Sequence, residues 1–579
     1  MAVDEAAQIE ADRTQLHGMG YAQELSRGFS TFSNFAISFS IISVLAGALT
    51  LFYLPLISGG PAAITTAWIV IGALALIVGM AMAEICSAMP TAGGLYYWSA
   101  KLAKTPEGGA KASWYTGWFN LLGQVGVIAS VDYALSVFIA FFVQLYASSW
   151  FGMSILDYKS VFIIYTFVLI SHGLLNTFGP RLVKILADIS VWWHVIGTTI
   201  IIIILFAIPT RDNIIGLSHI FDFENVTGFD FGGSGFYVFI VGLLVAQYTI
   251  TGFDASAHVS EETKGANVSA PKALVRSIYI SAIAAWLLTI AVTQAIPKGD
   301  YATVVGKLTT DADGAVSLIP APLRIFEASV GGNLSKLIIF IAIVGQFFCG
   351  MCGVTANSRM IYAFSRDGAL PGSKLWHRIN PKTRTPTNAV WLGITLSFLV
   401  GLLSVVQADN YAVAFFALVG ITAVGLYIAY VIPVFLRLRK PDFVPGPWNL
   451  RGFSKLVGWT AVIYVAIVNV IFFLPQFGPW SDGFWPPWGG DIPGTDFARV
   501  NNFNFTGPLI ILSLFAIWAY WHLSAKKWFK GPQVMGTEEE LRDLEAHLAA
   551  VERGEATPES IREMEEKMDA HHGKSKARS

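Results

Sequence analysis

The stretch "YTITGFDASAHVSEET", residues 248–263, follows "FYVFIVGLLVAQ" and interrupts a helix that should otherwise continue through a bilayer. Where Leu, Val and Ile are expected, the chain places Thr249, Thr251, Gly252, Asp254 and His258, before the charges of Glu261 and Glu262. Glycine weakens a helix by about 1 kcal/mol relative to alanine. A carboxylate inside a span is costly and faces the bundle or a water-filled cavity. An unwound turn is prohibitive against lipid but tolerated where it lines a cavity. This stretch therefore marks a broken helix that forms a site at mid-depth rather than a plain membrane crossing.

The surrounding chain supplies the membrane. Of 579 residues, 54% are apolar and 13% charged, where a soluble chain carries about a quarter charged. Mean hydropathy is +0.57. Apolar runs such as "ISVWWHVIGTTIIIIILFAI" (189–208) and "AVIYVAIVNVIFFLPQF" (461–477) are long enough to span. The pattern predicts an all-α integral membrane protein in a lipid bilayer. Twelve transmembrane helices are expected near 29–54, 62–89, 113–146, 160–178, 182–208, 235–259, 271–296, 334–364, 387–407, 411–436, 456–475 and 507–524.

Lys and Arg set the expected orientation. Loops after even-numbered spans hold Lys101, Lys104, Lys111, Arg181, Lys184, Lys264, Lys272, Arg276, Arg366, Lys374, Arg378, Lys382 and Arg384. Loops after odd-numbered spans are poorer in them, with Lys159, Arg211 and Arg499 among the few. Both termini are expected in the cytoplasm of a cell-membrane protein. The loop 209–234, with Asp212, Asp222, Glu224 and Asp230, is expected outside. The amino terminus is acidic and lacks an apolar core segment, so it does not read as a cleaved signal peptide.

Several classes are set aside. No basic patch with interleaved aromatics points to nucleic acid. There is no Walker loop and no G-x-S-x-G elbow. The pair His571–His572 stands alone in the tail, so a membrane-embedded metal enzyme lacks its ligands. Cys349 and Cys352 form "CGMC" within an apolar run and read as small packing residues. No cofactor is expected. The tail from 531 is charged and helix-prone; it reads as a solvated cytoplasmic segment or a partner-binding one.

Polar residues inside the spans are few. Glu84 and Asp188 lie near cytoplasmic ends, where snorkelling or an ion pair is the ordinary role. Asp132 is deep, and a functional carboxylate and a structural hydrogen bond stay equally open. His194 follows Trp192 and Trp193 and reads either as a packing residue or as a proton carrier. Span one has its own interruption, "SFSIISVLAGALTLF", with Ser38, Ser40, Ser43 and Gly47. Breaks in spans one and six, five spans apart, are the pattern of two inverted halves.

Four stretches then resemble the amino acid–polyamine–organocation transporters, and within them the amino acid/choline branch that includes GABA permeases and plant bidirectional amino-acid transporters. They are "FAISFSIISVLAGALTLF" (35–52), "AEICSAMPTAGGLYYWSA" (83–100), "YTITGFDASAHVSEETKGANVSAPKAL" (248–274) and "ANSRMIYAFSRDGALPGSKLWHRINPKTRTPTNAV" (356–390). The resemblance covers about residues 20 to 525. It implies a LeuT-type fold of two inverted five-helix repeats plus two C-terminal helices. The expected organisation is a cytoplasmic segment 1–28, a first repeat 29–208, a second repeat 235–436, the last two helices 456–524 and a charged cytoplasmic tail 531–579.

The resemblance also implies a site for a small-molecule substrate, an amino acid or related amine. Its carboxylate would meet backbone amides at Ser43, Val44, Leu45, Ala46 and Gly47, where a helix start favours an anion. Its amino group would meet carbonyls around Tyr248, Thr249, Ile250 and Thr251, beside Gly252. Asp132 would help set selectivity. Asp254 falls where many relatives carry a glutamate linked to proton coupling or gating. His194 lies near the place of a lysine that replaces sodium in some proton-coupled relatives, and a histidine can switch charge near neutral pH. Coupling to H+ or Na+ is expected on these grounds, with Thr355 and Ser358 placed to be sodium ligands. Only Gly47 remains of the Gly-Ser/Thr-Gly often seen in span one. GABA, a neutral or cationic amino acid, choline and a polyamine all fit. A non-transporting sensor shares the fold. The major facilitator fold also has twelve spans, but the short middle loop and the lack of its basic motif after span two speak against it.

Overall fold

The structure is a computed structural model. It describes residues 2–147, 149–150, 153–178, 180–227, 235–309, 317, 319–406, 411–474, 504–561, 563–564 and 567–568. Asp230, Arg499, His571 and His572 lie outside the described residues.

The described residues contain twelve crossings. Span one runs from Thr31 to Ile57 with an interruption. Spans two to five are Gly60–Ala88, Pro106–Gln144, Tyr158–Phe178 and Pro180–Ala207. Span six is Phe236–Thr249, resumed at Ala255–His258. Spans seven to ten are Ala266–Gln294, Gly332–Arg366, Thr387–Val406 and Tyr411–Leu438. Spans eleven and twelve are Ser454–Phe473 and Thr506–Leu523. Among the described residues ten helices are long and apolar enough to cross a membrane, and spans six and nine are the shorter apolar ones.

Two boundaries differ from expectation for local reasons. Span three begins at Pro106, with Thr105 as cap accepting from the Gly108 amide at 3.1 Å. Proline suits the first helical position because it lacks a donor that would be orphaned there. Span seven begins at Ala266, five residues before Pro271. Pro271 cannot donate to the carbonyl four residues back. That carbonyl, of Asn267, accepts the Ser87 hydroxyl at 2.6 Å instead.

The packing repeats after five spans. Span one packs on span seven as span six packs on span two. Span four packs on span three as span nine packs on span eight. The pairs two–seven and three–eight map onto themselves. Five is odd, so the second set crosses in the opposite sense to the first. This is the inverted five-plus-five bundle of the LeuT type, with spans eleven and twelve outside it.

Span five shows how one helix divides between lipid and site. Ile185, Ile189, Trp192, Ile196, Ile200 and Ile203 are exposed at steps of three and four. Ala187, Ser190, His194, Thr198 and Ile201 are buried on the other side. A lipid-facing stripe needs no covering protein.

The tail is not solvated on every side. Helix Glu538–Glu552 opens with a capping box between Thr537 and Glu540. It buries Leu541, Leu544, Leu548 and Val551 around Ala22. Its Glu545 meets His17 at 2.7 Å, Arg13 at 2.8 Å and the Gln23 amide at 2.7 Å. The leucines recur every three to four residues, which is the stripe of a helix with a partner.

Candidate functional site

The helix Thr31–Ile41 ends because Ile42 and Ser43 leave helical geometry, at ψ 37° and 112°. A single wide turn, Val44–Ala48, follows. Three serines hold the interrupted segment. Ser38 Oγ bonds the Phe253 carbonyl at 3.0 Å and accepts from the Ser256 amide at 2.8 Å. Ser40 Oγ donates to Ser190 Oγ at 2.8 Å. Ser43 Oγ lies 2.7 Å from His194 Nε2. Span eight supports the same turn from behind: Gln346 Nε2 donates to the Leu45 carbonyl at 3.3 Å and Cys349 Sγ to the Ile41 carbonyl at 3.2 Å. The Ala46 and Gly47 amides already donate to the Ser43 carbonyl, at 3.1 and 3.0 Å. Val44 and Leu45 precede those bonds, as the first amides of any helical turn do.

Span six stops at Ile250, and Gly252 sits at φ +77°. Side chains satisfy the broken ladder. Tyr427 donates to the Ile250 carbonyl at 2.8 Å, and the Gly252 amide donates to the Tyr430 hydroxyl at 3.0 Å. Thr251 Oγ1 donates to the Tyr248 carbonyl at 2.7 Å, and Thr249 Oγ1 to the Val245 carbonyl at 2.8 Å. A carbonyl has two lone pairs, so Tyr248 and Ile250 each keep one.

The two interruptions touch. A Cβ added to Gly47 would lie 2.5 Å from Thr249 Oγ1. A Cβ added to Gly252 would overlap Ile41 Cγ2. The glycines at the two breaks thus permit the close approach of spans one and six. The predicted residues Ser43–Gly47 and Tyr248–Gly252 are brought together.

Asp254 opens the short helix after the break and is buried. Its Oδ1 accepts from Tyr430 at 2.8 Å. Its Oδ2 faces Asn120 Nδ2 at 2.9 Å, Gln124 Nε2 at 3.2 Å and His258 Nε2 at 3.2 Å. The other His258 nitrogen, Nδ1, lies 2.9 Å from the Ala92 carbonyl. The imidazole therefore stands between two acceptors. Either it donates from both nitrogens as a cation, or Asp254 holds the proton and donates to it. In both forms the pair carries no net charge.

His194 has the simpler arrangement of a neutral ring. Nδ1 points at the Ser190 carbonyl, 2.8 Å away, so it carries the hydrogen, and Nε2 accepts from Ser43.

Other expected residues lie elsewhere. Asp132 does not face the breaks: its Oδ2 bonds His172 Nδ1 of span four at 3.1 Å, and its Oδ1 packs on Gly350 of span eight. Two residues along a helix is more than half a turn, and it is Ser130 that reaches the break, at 2.8 Å from the Tyr248 hydroxyl. Thr355 Oγ1 donates to Asn176 of span four at 2.7 Å, and Ser358 Oγ to the Thr355 carbonyl at 2.8 Å. Neither hydroxyl is aimed at span one. Among the described residues no group of three or more His, Cys, Asp or Glu could hold a metal ion. Glu84 pairs with Arg437 at 3.0 Å, and Asp188 accepts from Ser33 at 3.1 Å.

The end of the bundle that carries the termini is sealed. Glu261 pairs with Arg366 at 3.3 Å and accepts from the Ala92 amide at 2.9 Å. Glu262 pairs with Arg359 at 2.7 Å. The N-terminal segment joins them: Tyr362 bonds Glu24, and Arg366 lies 3.7 Å over the Tyr21 ring. Asp367, just past span eight, accepts from Tyr21, Tyr96 and the Gln533 amide. Burial pushes its carboxyl up, against the pull of Arg366 and these donors.

The sequence reading missed Asn120, Gln124, Ser130, Tyr427 and Tyr430. A signal existed: Asn120 and Gln124 are four apart in an apolar span, and Tyr427 and Tyr430 are three apart, so each pair shares a helix face.

A family model described as amino acid permease matches residues 29–489. The chain is 38% identical over 531 residues to the amino-acid permease BAT1 of Arabidopsis thaliana, covering 90% of this chain and 96% of that protein. It is 39% identical over 533 residues to the BAT1 homolog of Oryza sativa, with the same coverage. It is 30% identical over 484 residues to a GABA-specific permease of Saccharomyces cerevisiae, covering 82% of this chain and 80% of that protein.

Proposed function

The chain belongs to the amino acid permease family, and from that premise we propose that it is a secondary transporter. Its cargo is an amino acid or related amine such as GABA, carried across the cell membrane by alternating access. The observation that carries this is the meeting of two helix breaks at mid-depth, each lined by backbone polar groups and serine or tyrosine hydroxyls. Val44 and Leu45 amides receive the carboxylate, and carbonyls at Tyr248–Thr251 receive the amino group. Lys and Arg bias sets both termini in the cytoplasm. The sealed end is then the cytoplasmic gate, and Glu261–Arg366 and Glu262–Arg359 are bonds that break when it opens.

Reconstituted protein tests this with counterflow of labelled GABA. A competitor screen over neutral, acidic and cationic amino acids, choline and putrescine is run with and without sodium and a pH gradient. Saturable counterflow is expected, with stereoselective inhibition by the chiral amino acids that compete. Binding of an amino acid without any flux would replace the transporter by a sensor, and no response across the screen would sink both.

Coupling is assigned to Asp254 and His194, where a charge change alters the hydrogen bonding of a break directly. His194→Gln should lower transport about 5-fold, one lost buried hydrogen bond being worth about 1 kcal/mol. Unchanged flux would remove His194 from the cycle.

A further inference from the structure

We infer that Asp132 and His172 form a proton-binding site separate from the two helix breaks. This rests on the transporter reading and adds the ion that drives it. Both side chains are fully buried, and they meet at 3.1 Å. The remaining polar atom of each, Asp132 Oδ1 and His172 Nε2, has no hydrogen-bond partner. No Lys or Arg pairs with Asp132 among the described residues. The other titratable side chains around it are a thiol and phenols rather than further acids or bases: Cys349 of span eight, Tyr165 of span four and, packed on Tyr165, Tyr133 of span three. Span nine offers Trp391 and Ile394 beside Gly173.

With a neutral imidazole the pair would be a buried −1 charge lacking any countercharge, which an apolar interior opposes strongly. One added proton, giving Asp132 carboxylate with imidazolium, makes it neutral overall. The balance is a single proton taken up from water on one side and released to water on the other, with no other bond changed. The pair is thus stable when loaded and costly when empty.

Access would run past Asn176, and coupling through Gly350. Asn176, one turn along span four, donates to the His172 carbonyl at 3.0 Å and lines a cleft of about 820 Å³ that also holds Arg359 and Glu262 of the seal. On the other side, Gly350 has no side chain, so Asp132 and His172 pack directly on the span eight backbone. The preceding residues of the same stretch, Gln346 and Cys349, hold the break in span one through Leu45 and Ile41. Loading the pair and moving span one therefore act on two faces of one helical segment.

The test uses the full chain in proteoliposomes with labelled GABA, alanine, glutamate and lysine in parallel. Counterflow without a gradient is compared with accumulation driven by an acidic exterior, and proton entry is followed with trapped pyranine. Wild type should accumulate substrate at least 5-fold more with the gradient and acidify its lumen. His172→Gln should keep counterflow within about 3-fold and lose the stimulation and the proton entry. Asp132→Asn should lose both as well. A gradient response in His172→Gln equal to wild type, or none in wild type, overturns the inference. If neither variant supports counterflow, the pair serves the cycle itself and the coupling role is likewise overturned. Absence of counterflow in wild type would instead defeat the transporter reading.

Discussion

Gly252→Ala is expected to reduce transport about 30- to 3,000-fold while leaving the bundle assembled. Gly252 stands at φ +77° in the break of span six. A residue with a side chain pays roughly 1–2 kcal/mol to hold that conformation. The added Cβ would also overlap Ile41 Cγ2 of span one. Overpacking of a tight interior costs about 1–3 kcal/mol. Together these give about 2–5 kcal/mol, at 1.4 kcal/mol per factor of ten. The cost falls on the contact between the two breaks, because the Gly252 amide also donates to Tyr430 and the Ile250 carbonyl accepts from Tyr427. Counterflow measures the loss, and size-exclusion profiles after heating measure assembly. Ile41→Ala in the same chain removes the overlap but not the backbone strain, so it should restore part of the flux. Full restoration would assign the whole effect to packing, and no restoration would assign it to the backbone. Flux in Gly252→Ala equal to wild type would show that spans one and six do not need this approach.

Much of this was legible from residue types. The interruption of span six was readable because Gly, Thr and Asp are all poor choices for a lipid-facing helix. The serines of span one marked its partner, and the five-span interval set the inverted topology. Asp254 and His194 were found because an ionisable group in a span stands out against Leu and Ile. The partner of each was harder to read. Which face of span three meets span six depends on helix rotation, and a shift of two residues exchanged Asp132 for Ser130 at the break. His172 passed unnoticed because its meaning appears only beside Asp132 of span three. The tail failed for a different reason. Its charge suggested solvation, whereas Leu541, Leu544 and Leu548 needed the neighbouring N-terminal segment, more than 500 residues away in the chain, before their stripe had a partner.

Substituting Asp254 separates its charge from its shape. Asp254→Ala leaves Asn120 Nδ2, Gln124 Nε2, Tyr430 and His258 without the acceptor they share. Each orphaned buried group costs about 1–3 kcal/mol, so several kcal/mol are lost and little folded protein is expected in size-exclusion profiles. Asp254→Asn is nearly isosteric. Its amide can turn so that the oxygen still accepts from Asn120 and Gln124, while its NH2 faces the Tyr430 hydroxyl, which can accept. The fold should therefore survive. His258 is then left between the Ala92 carbonyl and an amide oxygen, two acceptors and no carboxylate. It must lose one hydrogen bond or remain a cation without its counter-charge, and the proton that the pair shared is gone. Transport should fall about 5- to 150-fold, the cost of one such orphaned buried group being about 1–3 kcal/mol. His258→Gln beside Asp254→Asn should add little further, because both remove the same proton. If Asp254→Asn transports like wild type, the carboxylate holds the break by shape alone and proton movement must run through other groups.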